Sequence, residues 1–106
     1  MSNVEEIADS ITEPWKPVVV AEANGFHLKV AKLDGDFPWH RHEAEDELFH
    51  CVSGSFRIEL REPHETVTMR PGDVFVVPRG REHRPVADAP AVSMLFEPAE
   101  TKQYGD

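Results

Sequence analysis

ELFHCVSGSFRIEL, residues 47–60, is the stretch on which the reading of the fold turns. Phe56, Ile58 and Leu60 alternate with Arg57, Glu59 and Arg61, the period of two that a half-buried strand requires. Ahead of them, Glu47–Val52 is rich in apolar residues and ends at Ser53-Gly54, a turn pair. Two strands and a tight connection are therefore expected.

The same texture extends in both directions. Toward the N-terminus, Phe37–His42 reads as a strand, Asp34-Gly35 as a turn and Phe26–Leu33 as a strand. Asn24-Gly25 is a hairpin signal, preceded by the β-branched run Val18–Ala21. Toward the C-terminus, Val67 and Met69 alternate with Thr68 and Arg70, and Pro71-Gly72-Asp73 turns the chain into Val74–Val77. Pro78-Arg79-Gly80 turns it out again, and Val92, Met94 and Phe96 alternate with Ser93, Leu95 and Glu97 before Pro98. Eight or so short strands without a central helix predict an all-β sandwich or barrel. Residues 1–14 differ: Val4, Ile7, Ala8 and Ile11 fall at helical spacing behind Asn3, a good N-cap, and Pro14 stops the pattern. A short helix and a frayed arm both fit. The expected organisation is an arm over residues 1–14 and one barrel domain over 15–106.

Composition sets the class. With 106 residues, 40% hydrophobic and 29% charged, the chain suits one soluble globular domain. Nine prolines and six glycines favour short strands joined by turns. A formal charge of −9 repels phosphate backbones and anionic lipid, so neither nucleic acid nor membrane is an expected partner. Cys51 stands alone, which rules out an intrachain disulfide. The opening residues lack a signal-peptide layout, and a cytoplasmic location is expected.

Six histidines are many for such a chain, and their placement matters more than their number. His40 and His42 are two apart in a strand-like segment, so both rings face one way with Cα atoms roughly 6.6 Å apart. Glu47 opens the next strand and can present a carboxylate to the same point. His83 follows the Pro78–Gly80 turn and would arrive from a strand adjacent only in space. Three imidazoles and one carboxylate suit iron, manganese, nickel, copper or zinc, and suit calcium poorly. An isolated H-x-H pair is more often ordinary surface histidine, so the set as a whole carries the reading.

That set resembles the two signature motifs of the cupin superfamily. The first motif is carried by Gly35, His40, His42, Glu47 and Gly54, with the lead-in from Gly35 one residue short and the rest in register. The second is carried by Gly72, Pro78, Gly80 and His83, with Ala87 where the family usually has Asn. Trp39-His40, Asp46-Glu47-Leu48-Phe49, Glu82-His83-Arg84-Pro85 and Phe96-Glu97-Pro98 further resemble a group of small single-domain bacterial cupins. That group is often labelled mannose-6-phosphate isomerase-like. The resemblance implies a cupin double-stranded β-helix, a jelly-roll-like barrel, holding one divalent metal on His40, His42, Glu47 and His83. Asp46 competes with Glu47 for the carboxylate role, and the six residues from Glu47 to Gly54 favour Glu47.

Around the metal, the alternation assigns Phe49, Cys51, Phe56, Ile58, Met94 and Phe96 to the barrel interior. Phe49, Phe56, Met94 and Phe96 are candidates for an apolar pocket wall. Arg79, Arg81 and Arg84 read either as a solvated basic patch or as an anion clamp, with Arg81 and Arg84 as the candidate grip. His50 faces away from Glu47, and His27 and His64 read as surface. No residue is assigned a catalytic role. The expected function is that of a metalloenzyme for a small organic acid, sugar acid or related oxygenated compound, of dioxygenase, isomerase or lyase type. The alternatives are a metal-anchored small-molecule or carbohydrate binding module and, ranked last, a purely structural metal. A homodimer is expected, paired through an outer sheet face or an exchanged N-terminal strand, because Val18–Val20 is an edge in need of cover.

Overall fold

Turn and cap chemistry partitions the chain in the computed structural model, which describes residues 1–106. Helix α1 (Val4–Ser10) is followed by strands β1 (Val18–Ala23), β2 (Phe26–Asp36), β3 (Glu47–Ser53), β4 (Phe56–Leu60), β5 (Glu65–Met69), β6 (Val74–Val77) and β7 (His83–Pro98). The Asn3 side chain accepts a hydrogen bond from Glu6 N, and Glu5 and Glu6 place negative charge at the helix N-terminus. Seven residues are too few for a helix to persist alone. Ala8 and Ile11 hold it by packing on Val30 of β2.

All strand pairings are antiparallel. One sheet runs β1-β2-β7-β3-β6, and β4 pairs with β5 and with β7. The sixteen-residue strand β7 joins the two layers: His83–Val86 pairs with β4, and Val92–Phe96 lies between β2 and β3. The interior is filled by Phe49, Phe56, Ile58, Leu60, Met69 and their smaller neighbours, with Cys51 fully buried as a free thiol.

Three local expectations need correction. Asp34-Gly35 is not a turn; β2 runs through it with a register irregularity between Leu33 and Gly35, opposite which β7 carries the extra residues between Ala87 and Ala91, and Gly35 at φ 83° supplies the left-handed conformation there. Phe37–His42 is not a strand either. Pro38 lacks a donor for a ladder, and pairing survives only as a bridge between His40 and His83. Met94 and Phe96 do not face the interior. On β7 the inward residues are Ala91, Ser93 and Glu97, while Phe96 is 41% exposed and stacks on Phe26 with centroids 5.1 Å apart. Met94-Leu95-Phe96 is apolar without a break, so period two alone cannot set its phase. The outer face is also apolar, because α1 covers part of it at Val30 and Val92.

Candidate metal centre

The two motifs meet through the backbone before their side chains do. His40 N donates to His83 O (3.0 Å), and His83 N donates to His40 O (2.9 Å). Gly80 N donates to His42 O (2.7 Å), clamping the 78–80 turn onto the loop that carries His42. Asp46 is exposed and accepts from Arg79 N (2.9 Å) and Arg79 Nε (3.4 Å), so it pins that turn. Glu47 is the carboxylate that reaches the histidines.

His40, His42, Glu47 and His83 are all buried, and one donor atom from each lies within 4.8 Å of the others. Hydrogen bonds orient two of the rings. His40 Nδ1 lies 2.9 Å from Pro38 O and His83 Nδ1 lies 2.9 Å from Arg81 O, so each donates from Nδ1 and keeps an Nε2 lone pair for the centre. His83 Nε2 is 3.2 Å from Glu47 Oε1. Both ring nitrogens of His42 are buried without a hydrogen-bond partner, and its Nε2 is 3.5 Å from Glu47 Oε1. An orphaned buried imidazole costs stability unless something binds it. A divalent cation satisfies His42 and balances Glu47 at once, so the donor set fits a transition metal.

The electrostatics are those of a packed, poised cluster. Burial and then the neighbouring His83 push the His40 pKa down to about 4. Burial acts to lower that of His42, but the adjacent Glu47 carboxylate prevails and raises it. Burial acts to raise that of Glu47, yet contacts with His42, His83 and Glu97 hold it well below the usual carboxylate range. Glu97 lies against Glu47. Burial and that contact push its pKa up to about 7 despite the Lys29 ammonium 2.8 Å from its Oε1.

A cavity of about 440 Å³, its open mouth included, leads to this centre. Trp15, Leu33, Phe37, Phe49 and Leu95 give it an apolar wall, and His40, Glu47 and Glu97 give it a polar end. Trp15 is held at φ 64°, unusual for a bulky residue. Its backbone N donates to Lys32 O (2.9 Å) and its Nε1 to Asp34 O (2.8 Å). The indole lies 4.9 Å from the Phe37 ring.

Of the pocket residues expected from sequence, only Phe49 lines this cavity. Phe56 is core, with its ring centroid 6.3 Å from that of Phe49, and Met94 and Phe96 point outward. Arg81 gives its Nη2 to Pro63 O (2.8 Å) and Glu65 (3.3 Å). Arg84 pairs with Glu59 (2.8 Å) and Asp36 (3.6 Å) and lies over Trp39. Neither arginine lines the cavity, and Arg79 is taken by Asp46, so the clamp reading is withdrawn: neighbouring carboxylates already neutralise all three. His50 is half-buried on the outer side of β3, as its parity requires. Sequence reasoning missed Glu97, Trp15 and Phe37. Glu97 stood in the quoted Phe96-Glu97-Pro98 stretch, but assigning Phe96 inward sent it to the wrong face.

The cupin domain family matches residues 26–96 of the chain. The uncharacterised protein YdbB of Bacillus subtilis is 28% identical over 97 residues, covering 92% of this chain and 85% of that protein. A cupin-2 domain containing protein from Shewanella frigidimarina superimposes with TM-score 0.86 at 33% identity, over 91% of this chain and 92% of that one. Hydroquinone 1,2-dioxygenase PnpCD, in complex with Cd2+ and 4-hydroxybenzonitrile, shares the fold with TM-score 0.78 at 24% identity, over 92% of this chain and 72% of that one. None of these likenesses supports the mannose-6-phosphate isomerase-like label.

Proposed function

The chain belongs to the cupin domain family, and on that premise we propose that it is a metalloenzyme acting on a small oxygenated organic compound. One divalent iron, manganese, nickel, copper or zinc ion is held by His40, His42, Glu47 and His83. The observation that carries this reading is the meeting of four buried donor atoms, within 4.8 Å of one another, with the polar end of an apolar cavity. Such an ion supplies Lewis acidity at positions left open to a ligand. The chain does the rest. His40 and His83 are locked in one tautomer by backbone carbonyls, and the aromatic wall excludes water. Glu97, a buried carboxyl lying against Glu47, is the group that can take or give a proton beside the ligand set. PnpCD holding Cd2+ together with a hydroxylated aromatic nitrile on this fold supports an oxygen-chemistry version of the reading.

The test is metal analysis of protein purified without oxygen, followed by turnover screening under air and argon. One tightly bound transition-metal ion per chain is expected. Iron would direct the screen to oxygen chemistry, and zinc or manganese to isomerase or hydrolytic chemistry. Protons compete for ligating imidazoles, so occupancy against a weak chelator should fall as pH drops through and below about 6.5. His42, whose pKa is raised, gives way first, and His40 stays neutral to about pH 4. Full occupancy at pH 5 would count against three histidine ligands. Tight reversible binding of small molecules without conversion would make the chain a binding module instead.

A further inference from the structure

The cavity carries information about its ligand that the metal set alone does not. Its lining includes no lysine or arginine. The Lys29 side chain is 14% exposed and already bound to Glu97 Oε1, while Glu97 is only 4% exposed. Glu97 Oε2 is buried without a hydrogen-bond donor. The polar end therefore presents two carboxyl groups and an unfilled acceptor, and the only positive charge left for a ligand is the ion's own, half-offset by Glu47. An anionic ligand would approach Glu47 and Glu97 without a side-chain counter-charge. A hydroxyl would supply the missing donor at no charge cost. Trp15, Phe37 and Phe49 contribute planar groups to the lining, Trp15 and Phe37 with ring centroids 4.9 Å apart, and planar groups suit a ring.

We propose that this cavity takes a small uncharged hydroxylated aromatic compound, with its ring against the wall of Trp15, Phe37 and Phe49 and its hydroxyl donating to Glu97. This rests on the metalloprotein reading above, and it narrows that reading away from organic acids.

The test uses zinc-loaded protein at pH 8, with 4-methylphenol and 4-methylbenzoate as probes in calorimetric titrations, and Trp fluorescence as a second signal. Metal stoichiometry is measured first. The phenol should bind at least ten times more tightly than the benzoate. Glu97→Gln should reduce that ratio at least fivefold while zinc content stays at one per chain, and Phe37→Ala should weaken both probes alike. Tighter benzoate binding, no binding of either probe to the loaded protein, or an unchanged ratio in Glu97→Gln overturns the proposal and leaves the metal site standing. Failure to load zinc or any other transition metal brings down the underlying reading as well.

Discussion

Replacing His83 with alanine will lower metal affinity at least about 100-fold while leaving a folded β protein. Removing a group that merely orients a ligand already costs about 10- to 100-fold, and His83 stands one step closer. Its loss also removes the ring 3.2 Å from Glu47 Oε1, leaving that buried carboxylate with His42 as its imidazole partner. The fold should persist, because the bridge between residues 40 and 83 is made by backbone atoms that alanine keeps. His50→Ala is the control. It sits on β3 three residues from Glu47 but on the outer side, and metal affinity should not change. Competition against a chromophoric chelator, with circular dichroism to confirm folding, measures both. If the two effects came out reversed, the inward parity of β3 would be wrong.

Gly54→Val should destabilise the protein by roughly 3–5 kcal/mol, a large share of the total for one domain. Gly54 has φ 71°, where a side chain is strained, and an added Cβ would lie 2.9 Å from Pro90 O and 3.0 Å from Ala91 Cα. Both are backbone atoms of β7, so neither can swing aside. Gly35 provides the comparison. Its φ of 83° is equally unfavourable, but nothing lies within 4 Å of the added atom. Gly35→Ala should therefore cost only about 1–2 kcal/mol, from conformation alone. Denaturant midpoints at unchanged m-value give both numbers. Equal losses at the two sites would show that the close approach of β7 to the 53–55 turn does not matter.

The β7 approach also explains why a glycine ends the first motif: the chain must turn at Gly54 directly against the backbone of Pro90 and Ala91. Spacing disclosed the glycine, and only the fold discloses what it touches. The histidines follow the same division. H-x-H, four residues, Glu was legible as a ligand set through its resemblance to the first cupin motif, since local geometry alone does not fix where those side chains converge. His83 was legible only through its fixed offset from Pro78 and Gly80, a turn that the structure shows hydrogen-bonded to His42. The segment carrying His40 and His42 is not the strand that the pattern suggested. Its two rings nevertheless reach one centre, held by the bridge to His83.

By itself, the sequence determined the β class, most strand positions and, through motif spacing, four groups fit to hold a metal, while leaving residues 1–14 open between a helix and an arm. These rest on interactions within a few residues, or on turn chemistry that acts locally. Tertiary structure alone decided that residues 83–98 form one strand serving both layers, that Met94 and Phe96 face outward, and that Arg79, Arg81 and Arg84 are held by carboxylates. It alone brought Glu97 against Glu47, fifty residues earlier, and Trp15 and Phe37 over the same cavity. The physical reason is common to all of them. A period of two states that side chains alternate but not which set is inside. Charge pairing and cavity shape depend on distances between segments that no local pattern encodes.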